Sequence, residues 1–208
     1  MPLLLIGGHT RNIGKTSLVV DLLRAFPNAS WTAIKITQYG HGVCSLHGEP
    51  CACAPHEHPF SLDEEHDRSN RTDTSRFFVA GAARSLWLRA RQGQLAEALP
   101  LFRDALASST NAIIESNSLL GFLHPALYLV VLDPASPDFK DSARLYLDRA
   151  DAFVLRSPLP AAEAVWSGVS PRLVLAKPRF LQPLSAPLPP ALLSLVRDRF
   201  FAFGGLSS

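Results

Sequence analysis

Charge is scarce and almost evenly divided in this 208-residue chain. Twenty Lys and Arg meet 18 Asp and Glu, a formal net charge of +2, and charged residues are only 18% of the total. No block of Lys and Arg gathers that excess on one stretch, so a nucleic-acid partner is not expected. Long apolar runs are missing as well. None reaches the roughly 18 residues that a membrane span needs, because the candidates are broken by Asp, Pro or Arg, and no membrane partner is expected. Cysteine is rare: the three residues are an odd number, all between positions 44 and 53. That suits a reducing compartment, with a metal or free thiols, better than a disulfide scaffold, and makes the cytoplasm the expected location. The opening Met1-Pro2-Leu3-Leu4-Leu5-Ile6 has no basic region before it and runs straight into glycines, which reads as a strand rather than a leader.

Hydrophobic residues are plentiful. At 47% they place the chain far from the disordered class, and its length suits one α/β domain over 1–208. Short apolar runs alternate with helical patterns, as in βα units around a mostly parallel sheet. Strands are expected over 3–7, 32–37, 84–88, 111–115, 127–132, 152–156 and 172–176. Several are continuously apolar, as strands covered on both faces should be. Helices are expected over 15–25, 74–81, 95–106, 140–149, 160–166 and 190–199. The expected architecture is three-layer αβα, with a twisted sheet and a ligand crevice at the carboxyl ends of its strands. The proline-rich stretch 178–190 reads as an ordered connector. From 38 to 72 periodicity fails, and all three cysteines and five of the seven histidines fall in this inserted loop.

Chemistry concentrates in Gly7-Gly8-His9-Thr10-Arg11-Asn12-Ile13-Gly14-Lys15-Thr16-Ser17. Exposed N–H groups at a helix start make an anion site, and glycines let the backbone approach a phosphate closely. Gly8 and Gly14 supply that freedom, and the amides of Thr10, Arg11, Asn12, Ile13 and Gly14 would line the cradle. Lys15 is placed to reach the β- and γ-phosphates of ATP or GTP, and the Thr16 hydroxyl to ligate Mg²⁺. Ser17 lines the α-phosphate side or caps the helix. Arg11 either adds charge near the leaving phosphate or faces solvent. Five residues separate Gly8 from Gly14, where the standard pattern has four and would want glycine at His9.

The run from Gly8 to Thr16 resembles the longer phosphate loop of dethiobiotin synthetases. Ala33-Ile34-Lys35, the histidine-rich loop, and Asp73-Thr74-Ser75-Arg76 followed by Ala80-Gly81-Ala82 are similar to the MobB family, molybdopterin-guanine dinucleotide biosynthesis protein B. The resemblance covers residues 3 to about 133. It implies a P-loop NTPase fold, a lysine at position 35 facing the active site, and homodimers, which are common among such proteins.

Ala112-Ile113-Ile114-Glu115 looks like a Walker B strand whose acidic tip orients Mg²⁺ or its waters. Lys35 interrupts an apolar strand, so either a phosphate or carboxylate stands near it or it snorkels to water at a sheet edge. Asp73 opens a helix and serves either as its cap or in organising the metal. Where GTP-binding relatives carry Asn-Lys-x-Asp for guanine, this chain has Leu155-Arg156-Ser157-Pro158. Leu175-Ala176-Lys177-Pro178 resembles a Ser-Ala-Lys base loop, which implies Arg156 or Lys177 at the base.

Cys44-x₆-Cys51-x-Cys53-x₂-His56-x-His58 brings three thiols and two imidazoles within fifteen positions. Thiolates with one histidine suit tetrahedral Zn²⁺, although the spacing is not that of a standard zinc knuckle, and reduced surface cysteines are the alternative. The corresponding MobB loop is shorter and lacks this cluster. Three functions follow as expectations: a MobB-like NTPase serving molybdenum-cofactor or other metal-cofactor biosynthesis with a partner protein, an ATP-dependent small-molecule kinase or ligase, and a nucleotide-dependent metal switch.

Overall fold

The computed structural model describes residues 1–39, 59–160 and 165–202. Among the described residues eight strands form one sheet: β1 (Leu3–Gly8), β2 (Trp31–Tyr39), β3 (Phe60–Glu64), β4 (Arg84–Arg91), β5 (Asn111–Glu115), β6 (Leu127–Leu132), β7 (Ala152–Leu155) and β8 (Arg179–Leu181). Their order is β3-β4-β2-β5-β1-β6-β7-β8. Every neighbouring pair is parallel except β3 on β4. Helices α1 (Lys15–Ala25), α2 (Asp73–Val79), α3 (Leu99–Leu106), α4 (Asp141–Arg144), α5 (Pro171–Leu175) and α6 (Pro190–Val196) connect and cover the strands.

Alternation along the strands builds two cores. Leu5, Ile34, Ile114 and Val130 point to one face, against Phe102 and Leu106 of α3 and against Trp166. Leu4, Ile6, Ala33, Ile113 and Leu129 point to the other, against Leu18 and Leu22 of α1, Phe77 of α2 and Leu192 of α6. Leu4, Leu5, Ile6, Ile113 and Ile114 are all 0% exposed, and each such side chain contributes roughly 1.5–3 kcal/mol by leaving water. Burial on both faces explains why these strands read as unbroken apolar runs. The central strand β1 lies between β5 and β6, where the chain crosses from one side of the sheet to the other, and that switch opens a crevice at the carboxyl strand ends.

Four expected elements differ. Residues 172–176 are not a strand: Ser170 precedes Pro171, which starts the short helix α5, and the strand follows at β8. An apolar run as short as Leu173-Val174-Leu175 has no period that separates the two conformations. Phe60–Glu64, inside the stretch expected to lack regular structure, is strand β3; Phe60 and Leu62 pack on the core while Asp63 and Glu64 pair with Arg89 and Arg84 of β4. Helix α3 begins at Leu99, four residues later than expected, with Pro100 in its first turn. The helix expected over 140–149 is α4 followed by a separate 3₁₀ turn, Leu147–Arg149. Of the helix expected over 160–166, residues 161–164 lie outside the described residues.

Candidate phosphate-binding site

Strand β1 ends at Gly8 and α1 begins at Lys15, so the intervening turn lies over the crevice. Gly14 takes a left-handed φ of 87°, which costs any residue with a Cβ about 1–2 kcal/mol. Space imposes the same choice, since a Cβ on Gly14 would stand 2.6 Å from Leu184 and 3.0 Å from Nε of Arg156. Asn12 is also left-handed, at φ 57°, a conformation its short polar side chain tolerates.

The extra residue of the turn is absorbed at His9. Its amide donates to Val131 O at 3.2 Å and its carbonyl accepts from Lys140 N at 2.8 Å. Its ring is 0% exposed, with centroids 5.2 Å from Phe139 and 5.3 Å from Trp166. His9 is therefore a core residue, which is why glycine is not needed there. Among the described residues neither ring nitrogen has a hydrogen bond of ordinary geometry, although the Val131 and Ser136 carbonyls lie close enough to favour the cation; burial outweighs them and Asp133 and pushes the imidazole pKa below its ordinary value, with Lys15 adding to the shift. Thr10 Oγ1 donates to Asp138, a second tie between the turn and the segment after β6.

Lys15 Nζ donates to Thr10 O at 2.9 Å, bent back over the turn. Burial lowers its pKa, Glu115 opposes that shift, and Lys35 and Arg11 add to it. Thr16 Oγ1 donates to Glu115 Oε2 at 2.8 Å. Glu115, 7% exposed, ends β5 between Ile6 and Lys35 on the neighbouring strands. Lys35 pairs with Asp73, which lies 3.5 Å from Arg76, and Arg76 Nη2 donates to Ser17 Oγ at 3.4 Å. Capping of α2 belongs to Thr72, in a reciprocal box with Ser75, so Asp73 serves Lys35 instead. Burial brings Lys140 down to about 8, with Lys15 and Arg11 adding to the effect and Asp138 opposing it. Arg11 itself is exposed.

A buried strand, a turn closed by a left-handed glycine, a helix opening on Gly-Lys-Thr, and an acidic strand tip 2.8 Å from the threonine now stand together. This is a phosphate-loop fold. No protein-family model matches the chain, and no curated protein does. Among solved structures it is similar to "apo" LpxK from Aquifex aeolicus in complex with ATP, at 15% identity and a TM-score of 0.48, covering 87% of this chain and 53% of that one. It is also similar to HypB from Helicobacter pylori in complex with nickel, at 17% identity and a TM-score of 0.40, covering 74% of this chain and 63% of that one. The chain thus spans between half and two thirds of the length of either.

Both residues expected at the base lie elsewhere. Arg156, 7% exposed, is behind the phosphate loop, with its guanidinium committed to backbone carbonyls and to Gln182. Lys177 donates to the carbonyls of Asp148 and Ala150, which precede β7, at the end of the sheet opposite the phosphate loop. The strand expected to lead into a base loop is instead the helix Pro171–Leu175. Cys44, Cys51, Cys53, His56 and His58 lie outside the described residues. Among the described residues no group of three or more His, Cys, Asp or Glu is arranged to hold a metal, and no helix is long and apolar enough to cross a membrane.

One further support of the phosphate loop escapes sequence reasoning. Asn117 takes a hydrogen bond from Gly8 N at 2.8 Å and returns one to Gly8 O at 2.8 Å. Its carboxamide acts as a strand partner for the last residue of β1, where the β5 backbone has already turned away. A Cβ on Gly7 would stand 2.5 Å from the Tyr128 hydroxyl and 2.7 Å from Asn117 Oδ1. Only the position of Asn117, two residues past the acidic tip, hinted at this role.

Proposed function

We propose that the protein binds a nucleoside triphosphate with Mg²⁺ and catalyses attack on its γ-phosphate. The observation that carries this reading is Lys15 and the Thr16–Glu115 pair at the opening of α1, directly after the left-handed Gly14. A hydroxyl and a carboxylate are hard oxygen donors of the kind that hold Mg²⁺ with its remaining waters. Thr16 and Glu115 would hold the ion, which supplies neutralisation of phosphate charge when bound. Lys15, released from Thr10 O, places an ammonium on the β- and γ-oxygens, and the N–H groups at the start of α1 stabilise the charge that moves to the leaving phosphate.

The finer reading is a MobB-like NTPase that assists a metal-cofactor pathway through a partner protein, supported by the motifs around Lys35 and Asp73. The linked ion pairs Lys35–Asp73–Arg76, next to Ser17, favour a second reading: a kinase or ligase whose anionic or hydroxyl acceptor sits beside the loop.

A thermal-shift screen with Mg²⁺ and each triphosphate tests the first claim. At 100 times Kd a ligand adds about 2.7 kcal/mol, a rise in Tm of about 5–10 °C for a chain of this size. Lys15→Ala should abolish it, and the larger shift identifies ATP or GTP. No shift with any triphosphate sinks the reading. Hydrolysis assays then divide its two forms, since turnover without a small acceptor fits the NTPase and sharp stimulation by one fits the kinase or ligase.

A further inference from the structure

Arg156 directly follows β7, where its backbone N–H donates to Leu132 O at 2.9 Å, and its side chain runs beneath the phosphate loop. Nε donates to Ile13 O at 3.2 Å and Nη2 to Gly14 O at 2.5 Å. Nη1 donates to both oxygens of Gln182, the backbone one at 3.0 Å and Oε1 at 2.9 Å. Gln182 is 0% exposed, and its side-chain Nε2 donates to Asp21 Oδ2 of α1 at 2.9 Å and to Ala186 O at 3.3 Å. The guanidinium is thus held in one orientation by β7, by the segment after β8 and, through Gln182, by α1. Asp21 and Asp133 are the nearby carboxylates, and burial acts against the cation.

The identity of the two loop carbonyls matters. Ile13 O belongs to the peptide unit whose other end is the Gly14 N–H, and Gly14 O to the unit whose other end is the Lys15 N–H. Those two N–H groups open α1 and are the donors that a helix start offers to an anion. A cation bonded to a peptide oxygen draws density from the unit and strengthens its N–H as a donor, because hydrogen bonds in a chain polarise one another.

We propose that Arg156 is a positioning residue that raises the phosphate affinity of the loop from behind, acting through the Ile13–Gly14 and Gly14–Lys15 peptide units without touching the nucleotide. The inference rests on the nucleotide reading above. It assigns the arginine to the phosphates and leaves the base to other residues, so its loss weakens every ligand that carries a diphosphate, whatever the base.

The test compares wild type with Arg156→Gln and Arg156→Lys by calorimetry with Mg²⁺ and the triphosphate, the diphosphate and inorganic tripolyphosphate, alongside steady-state hydrolysis. Arg156→Gln should raise Kd by roughly two- to tenfold for all three ligands, since polarisation strengthens each of the two charge-assisted N–H donors by about 10–30%. KM should rise with Kd while kcat changes by less than about threefold, the pattern of lost uniform binding. Arg156→Lys, which keeps the charge but not the fork, should fall between the two. Methylguanidinium at millimolar concentration should restore part of the affinity of Arg156→Ala. Folded variants that bind all three ligands as wild type does overturn the proposal, and so does a loss confined to kcat or to one base. Should Arg156→Gln and Arg156→Ala fail to fold, Arg156→Lys decides by the same measurements. A wild type that binds neither triphosphate nor tripolyphosphate overturns the nucleotide reading itself, which is a different result.

Discussion

Acid should loosen this protein through His9. Its ring is fully buried between Phe139 and Trp166, with no hydrogen bond of ordinary geometry to either nitrogen among the described residues, and its pKa lies below 6.5 in the folded state. The charged groups around it are Asp133, which favours the cation, and Lys15, which opposes it, with Arg144 over the Phe139 ring at 5.6 Å. The unfolded chain takes up a proton as pH falls through about 6.5, whereas the folded chain resists. Stability is therefore unaffected by this group well above pH 6.5. It then falls, at up to about 1.4 kcal/mol per pH unit, until the folded pKa is reached. Between pH 7.5 and pH 5 the loss attributable to His9 stays below a ceiling of about 2 kcal/mol. Urea denaturation of wild type and His9→Leu at half-unit intervals measures it. Leucine is close in volume and cannot titrate, and the other six histidines are common to both proteins, so their contributions cancel in the difference. The two stability curves should diverge only below about pH 6.5. Parallel curves down to pH 5 would refute the reasoning, because they would mean that Val131 O, Ser136 O and Asp133 hold the imidazolium as well as water does, against the cost of burial.

Two substitutions probe the loop directly. Gly14→Ala should cost at least about 1–2 kcal/mol from the left-handed backbone alone, with the collisions at Leu184 and Arg156 added, and thermal denaturation will show it; a stability within 0.5 kcal/mol of wild type, roughly the size of a neutral surface change, would contradict the described turn. Asn117→Ala strips the partners from Gly8 N and Gly8 O and should destabilise by about 1–3 kcal/mol. Asn117→Asp keeps the acceptor and loses the donor, so it should fall between, as chemical denaturation of the three proteins would show.

Local patterns were legible and distant ones were not. The bounds of α1, β5 and β6 follow from apolar runs and the Gly-Lys-Thr signal, all of which lie within a few residues of the elements they define. Thr16 and Glu115 could be paired because each sits at a recognisable position, a helix start and a strand tip. Arg156 could not be placed, because its partners Ile13 and Gly14 are more than 140 positions away and the packing of β7 and β8 decides which way it turns. The expectation of a strand failed at Leu173-Val174-Leu175, three residues that suit either conformation until Pro171 is seen at the first turn of a helix. His9 stood where a glycine was expected, and only the aromatic rings of Phe139 and Trp166 explain why.

The rims of the sheet bear on how copies of the chain meet in concentrated solution. A bare strand edge invites another strand to add to it. On one rim, β3 carries Asp63 and Glu64 tethered to arginines of its neighbour. On the other, β8 is three residues long, and its Arg179 donates to the carbonyls of Val174, Leu175 and Lys177. An arriving strand would meet carboxylates at one margin and would gain few ladder bonds at the other. Stacking through the sheet should therefore be a poor route to fibrils for the native form.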